Sequence, residues 1–366
     1  MRILIIGPGK LKYMPYAHFY LDNIDCQKNE VHVAYWNRDE KPEDTSSYRS
    51  ITLHEYPLFM VNNASLITKF RCFRKFRSFV KGIMTAYSFD FIIVLHTLSG
   101  LMIYDVLKKS FKGRFILDYR DSTYESRNKL FGKAVMNLCQ MSKVTFVSSE
   151  AFRRFLPEDC TDKIYTSHNL LEDSLQHREY EKEPSNMIRM AFWGFIRHFE
   201  INRILIDRIA ADQRFELHYY GREQKDALDL KAYALQINAS NVFFHGEYNP
   251  RDRYEFVKTT DLIHNIYSGR NENMAMGNKY YDSIVFRIPQ ICQSGSFMGK
   301  MAIEHQVGFM ANPEEIDFCD KVYSYYSSLD RSVFNKASDV ELERVLFEYD
   351  LGKKIIDDST NKQTNG

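Results

Sequence analysis

Short apolar runs alternate with amphipathic or mixed stretches along the first half of the chain. The runs fall at residues 3–6, 31–36, 91–95, 115–117 and 144–147, with segments such as 101–111 and 126–141 between them. Uninterrupted apolar runs of this length suit strands covered on both faces, and the long connections allow parallel pairing through crossover helices. The second half repeats the scheme at 190–192, 216–219, 242–244, 262–266 and 290–292. The pattern predicts an α/β chain of two Rossmann-like units, 1–170 and 187–330, joined by the polar stretch 171–186. Residues 331–366 should add a C-terminal helix able to cross back to the first unit, then a polar tail that frays from 357.

A length of 366 residues agrees with two cores. A net charge of +1, with 27% charged and 14% aromatic residues, argues against a dedicated nucleic-acid binder. The six cysteines are far apart, form no C-x-x-C pair and follow no basic and apolar leader, which suits reduced thiols in a cytoplasmic protein. The apolar runs are far shorter than the ~18 residues of a membrane span, so any membrane contact is expected to be peripheral.

Charge is nonetheless uneven. Residues 56–89 contain no Asp or Glu, while Lys69, Arg71, Arg74, Lys75, Arg77 and Lys81 interleave with Phe70, Phe73, Phe76 and Phe79. On a helix this gives an aromatic stripe beside cations. Such a face suits the anionic inner surface of the plasma membrane; a crossover helix packing its phenylalanines on the sheet is the alternative.

Candidate chemistry concentrates at strand ends, where open parallel sheets bind ligands. Residues 278–291 predict a helix capped by Asn278, carrying Lys279 in its first turn, with an apolar face of Tyr280, Tyr281, Ile284 and Val285, and stopped by Pro289. A helix N-terminus with a lysine suits a phosphate, and Asp282, one turn on, could accept from ribose hydroxyls. The first strand is followed by Gly7-Pro8-Gly9-Lys10, but Lys12 breaks a dinucleotide fingerprint, so an NAD-dependent oxidoreductase is a lesser alternative. Arg197 offers a planar fork for two phosphate oxygens.

Residues 279–290 resemble the segment "K-x-x-E-x-x-x-x-G-x-P-V" of the retaining glycosyltransferases of family 4, with Asp282 in place of Glu and Arg287 in place of Gly. The resemblance implies a GT-B architecture, two Rossmann-like domains facing each other across a cleft. It also implies transfer of a sugar from a nucleoside diphosphate, uridine first, to a lipid-linked or oligosaccharide acceptor in surface polysaccharide (capsule) synthesis, with retention and without metal or other cofactor. Residues 192–198 resemble the family's "Y-x-G-x-I" loop, which assigns Gly194, Arg197 and His198 to the diphosphate beside Lys279 and Asn278; Glu200 stands where a lysine is common. Gly221 and the turn Gly246 to Tyr248 resemble the family's base-binding turns, and Gly9 its donor-phosphate loop. Asp121 is implied to orient or deprotonate the acceptor hydroxyl, with Arg120 aimed at the sugar or its phosphate; pairing of Arg120 with Asp118 or Asp121 is the structural alternative. His96 could also line the cleft. The family's donor-sugar glutamate corresponds to Met274, and Glu272 is the nearby substitute. These departures leave open a non-catalytic scaffold in a glycan assembly complex.

Overall fold

The continuous apolar runs become the central strands of two parallel sheets. The computed structural model describes residues 1–61, 64–249 and 252–361. In the first unit, β1 (Arg2–Gly7), β2 (Glu30–Asn37), β3 (Thr52–Pro57), β4 (Phe91–Leu95), β5 (Phe115–Tyr119), β6 (Val144–Val147) and β7 (Ile164–Thr166) lie in the order β3-β2-β1-β4-β5-β6-β7. In the second, β8 (Ile188–Trp193), β9 (Phe215–Tyr220), β10 (Val242–Gly246), β11 (Leu262–Asn265), β12 (Gln290–Gln293) and β13 (Gly308–Ala311) lie in the order β10-β9-β8-β11-β12-β13. Strand order reverses between β1 and β4 in one sheet and between β8 and β11 in the other. Connections leaving these neighbouring strands diverge there and open a crevice at their carboxyl ends.

Helices cover both faces, which is why β4 is buried along its whole length. The helix Leu66–Ala86 starts at Ser65, whose side chain accepts from the Thr68 amide at 3.2 Å. It buries Phe76, Val80 and Ile83, with Phe76 stacked on Trp36 at 5.5 Å. The helix Lys129–Met141 starts at Asn128, which accepts from the amides of Leu130 and Phe131. The second core gathers Leu205, Ile206, Ile209, Phe215, Leu217 and Leu262, all fully buried.

Contacts divide the chain between His168 and Asn169. The stretch 171–186 is therefore not a free linker: it packs within the second unit, where Arg178 Nε donates to the Val285 carbonyl at 3.2 Å and the Tyr180 hydroxyl to that of Phe286 at 2.8 Å. The last helix, Arg331–Thr360, belongs to the second unit through residue 346 and to the first from Phe347 on. Gly352 is needed there, because a Cβ at this position would lie 2.7 Å from Phe19 Cζ. Helix continues to Thr360, past the point where fraying was expected, and residues 362–366 lie outside the described residues. Among the described residues no helix is long and apolar enough to cross a membrane, and the six cysteines carry free thiols.

Candidate functional site

The β8–β11 switch point is bordered by two segments. One is the turn after β8, where Gly194 at φ 139 and His198 at φ 65 lead into the helix Phe199–Ala210. The other is the helix Asn278–Phe286. Its N-cap is Gly277 and Asn278 is the first helical residue, with an exposed side chain, so the cap expected at Asn278 lies one residue earlier. Arg287 at φ 50, not Pro289, ends the helix. It holds the left-handed conformation that glycine prefers, fixed by Asp339 at 2.9 Å and Glu179 at 3.2 Å.

Between these segments lies a cavity of about 270 Å³ bordered by Gly194, Arg197, Tyr248, Arg253, Lys279 and Asp282. Lys279 is 8% exposed. Its Nζ sits 4.1 Å from the Phe192 ring centre and 5.2 Å from that of Tyr267, and among the described residues no hydrogen bond or ion pair engages it. Burial, aided by Arg197 and opposed by Asp282, pushes its pKa down to about 7. A buried ammonium without a counter-ion is costly, and an anion entering the cavity would relieve it. The Arg197 guanidinium is exposed, 5.5 Å from the Phe195 ring centre, and no carboxylate of the described residues pairs with it.

Asp282 is already occupied. One oxygen accepts from Trp193 Nε1 at 2.9 Å and the other lies 3.6 Å from Arg253 Nη1. Trp193 and Arg253 were not anticipated. They reach Asp282 from distant segments, and neither belongs to a recognisable spacing. Tyr248 borders the same cavity and packs edge-on against Phe256 at 5.1 Å. Burial pushes the His198 pKa down, opposed by Glu272; Nε2 lies 3.7 Å from Glu272, and the backbone N–H donates to Asp226 at 3.0 Å. Glu272 folds back over Gly269, where an added Cβ would collide with its carboxylate.

Gly221 is held in close packing against the end of β8. A Cβ there would run into the Gly194 carbonyl. Gly246, at φ 80, has open space around its Cα, and its carbonyl accepts from the Gly221 amide at 2.8 Å.

The first unit places its residues separately. Gly7 ends β1, where a Cβ would meet Met14 Cε at 2.5 Å, whereas nothing lies within 4 Å of one at Gly9. Arg120 is buried, pairs with Asp118 at 2.8 Å and lies 4.6 Å from the Tyr16 ring centre, so the structural pairing is present. Asp121 is exposed on the bend that follows. His96 ends β4 at φ 75, with Nδ1 accepting from the Leu98 amide at 3.2 Å. On the basic helix, Arg77 and Lys81 form exposed ion pairs with Asp105 at 2.9 and 3.2 Å.

No family model and no curated protein matches the chain. Its structure is similar to a glycosyltransferase from Rickettsia africae, with TM-score 0.70, 11% identity and 99% of each chain covered. It is also similar to Anabaena Alr3699/HepE in complex with UDP and glucose, with TM-score 0.69, 12% identity and coverage of 97% of this chain and 99% of that one. A third is sucrose-phosphate synthase from Thermosynechococcus elongatus, with TM-score 0.67, 12% identity and 97% of each chain covered. The chain has the GT-B fold, two Rossmann-like domains with parallel sheets.

Proposed function

We propose that this protein is a glycosyltransferase that moves a sugar from a nucleoside diphosphate, UDP first, to a hydroxyl of a glycan acceptor. The observation that carries the reading is the unneutralised ammonium of Lys279, buried in the first turn of a helix at the switch point. A diphosphate supplies the missing negative charge, and the helix N-terminus and Arg197 add to its binding. Two cations and a helix end also stabilise the leaving diphosphate, so the site has no need of a metal ion. Alr3699/HepE was solved with UDP and glucose, which supports uridine as the first base to test. Asp121 is kept as the candidate group for the acceptor hydroxyl, and retention of configuration follows the family resemblance.

Calorimetric titration with UDP, GDP, CDP and ADP in the presence of EDTA tests this. One nucleotide is expected to bind selectively, and binding should weaken by up to about tenfold per pH unit above 7. The sign follows from Lys279: with a pKa of about 7 in the free protein, it already carries its proton below that pH and must take one up above it. Absence of binding by all four, or pH-independent binding between 7 and 9, would sink the assignment.

We further propose that the helix Leu66–Ala86 rests on an anionic bilayer, placing the protein at the inner face of the plasma membrane beside a lipid-linked acceptor for surface polysaccharide. Leu66, Ile67 and Phe70 are 75%, 67% and 65% exposed, flanked by Lys69, Arg71, Arg74 and Lys75. Each near-surface cation adds roughly 1 kcal/mol on such a surface. Sedimentation with vesicles containing phosphatidylserine should pellet the protein. The double variant Ile67→Glu, Phe70→Glu should stay in solution with nucleotide binding intact. Equal pelleting of both proteins would refute the membrane face.

A further inference from the structure

We infer that the first unit binds an acceptor bearing a phosphate group, held at the β1–β4 switch point by Arg38, His96 and Tyr16. The inference rests on the glycosyltransferase reading above and names the class of its acceptor. β2 and β4 flank β1, so their carboxyl ends lie about 10 Å apart with the turn after β1 between them. Arg38 is the first residue after β2, His96 the first after β4, and Tyr16 lies in the single turn Pro15–Ala17 that follows β1. Three elements thus bring one hydrogen-bond donor each to the crevice of this sheet.

Arg38 is half-buried, its guanidinium 4.6 Å from the Trp36 ring centre and 5.9 Å from that of Phe73 on the helix Leu66–Ala86. Nε is shut inside, so the Nη groups are the ones a ligand can reach, and among the described residues no oxygen accepts from them. Burial pushes the Arg38 pKa down, a cost that a bound anion relieves. His96 is held at φ 75 with Nδ1 accepting from the Leu98 amide at 3.2 Å, so Nε2 carries a proton, and that N–H has no acceptor among the described residues. The Tyr16 hydroxyl has none either, and its ring lies 4.6 Å from the Arg120 guanidinium. The charge of Arg38 acts on both His96 and Tyr16, which makes the three groups neighbours. Three donors without an acceptor call for an oxyanion, and a phosphate has an oxygen for each of them. Two acids lie close. Asp118 is paired with Arg120, whereas Asp121 acts on His96 and Tyr16. Its charge keeps the phosphate on the Arg38 side and leaves the acceptor hydroxyl on its own, in keeping with the role proposed for it.

The test is calorimetric titration of the full chain carrying Lys279→Ala, which disables the diphosphate site of the second unit, with glycerol 3-phosphate and with farnesyl phosphate. At least one of these phosphomonoesters is expected to bind. Adding Arg38→Gln should weaken that binding about tenfold or more, and Arg38→Lys, which keeps the charge and loses the fork, should weaken it less. In the chain with Lys279 intact, Arg38→Gln should bind UDP as the wild type does, which separates a lost contact from a lost fold; should the Gln variant not fold, Arg38→Lys and Tyr16→Phe carry the comparison. Much tighter binding of farnesyl phosphate, with the same dependence on Arg38, assigns the phosphate to a lipid-linked acceptor, and equal binding of the two assigns it to a soluble sugar phosphate. Phosphate binding indifferent to Arg38, or no binding of either probe, overturns the inference while a chain that still takes UDP keeps its nucleotide site. Arg38-dependent phosphate binding in a protein that takes no nucleotide keeps this site and removes the donor reading instead.

Discussion

Lys279→Ala should lower turnover by about 100-fold or more, because it removes a buried cation, held by no ion pair among the described residues, that can meet charge developing on the departing diphosphate. The same change should not destabilise the protein, which sets it apart from an ordinary core truncation. The pKa of Lys279 falls from an ordinary 10.5 to about 7, chiefly through burial. Between those values the unfolded chain holds a proton that the folded chain lacks, so stability rises with pH across that window, and below pH 7 the full cost of the buried ammonium is present. At about 1.4 kcal/mol per pKa unit the cost is a few kcal/mol. Lys279→Met, which keeps the volume, should therefore melt above the wild type at pH 6.5, and the gap should shrink by pH 9. Arg197→Ala should produce a similar kinetic loss with no change in melting, since that side chain is exposed. Steady-state rates with calorimetric melting decide the matter; near-normal turnover in both alanine variants removes the catalytic assignment, and a Met variant that melts lower at pH 6.5 removes the argument from burial.

What the sequence makes legible follows from which forces are local. β4, FIIVL, stands out because a strand covered on both faces is apolar at every position. β3 is half exposed along its length, and β7 and β13 are three and four residues long, so none of them leaves an apolar run to notice. Lys279 was visible because a cation in a first helical turn is a local pattern. Which charges remain available is a non-local fact. Arg120 is taken up by Asp118, and Arg77 and Lys81 by Asp105, which lies 28 and 24 residues away. Trp193 meets Asp282 across 89 residues. Arg253 lies in a polar stretch with no periodicity, and only the folded chain shows it to be buried beside that carboxylate.

Gly221→Ala should cost roughly 3 kcal/mol or more of stability, and the reason shows why a glycine at a ligand-facing turn need not touch the ligand. The added methyl would run into the carbonyl of Gly194 at the end of the neighbouring strand, and no side chain can move aside to relieve it. Relief requires separating β8 from β9, where Gly194 N donates to the Tyr220 carbonyl at 2.9 Å, while Gly221 N stays tied to the Gly246 carbonyl of β10 at 2.8 Å. Gly194 also faces Lys279, whose Nζ would lie 3.7 Å from a Cβ there, so a shift of this strand end should weaken nucleotide binding along with the fold. Gly9→Ala makes the contrasting case. Its new methyl meets nothing within 4 Å, so its urea midpoint should stay within about 0.5 kcal/mol of the wild type. A loss of activity in Gly9→Ala at unchanged stability would identify a glycine kept for close approach of a ligand, whereas loss of both in Gly221→Ala identifies one kept for packing. A Gly221→Ala protein that unfolds at the wild-type urea concentration would show that β8 and β9 part easily, and the packing argument would fail.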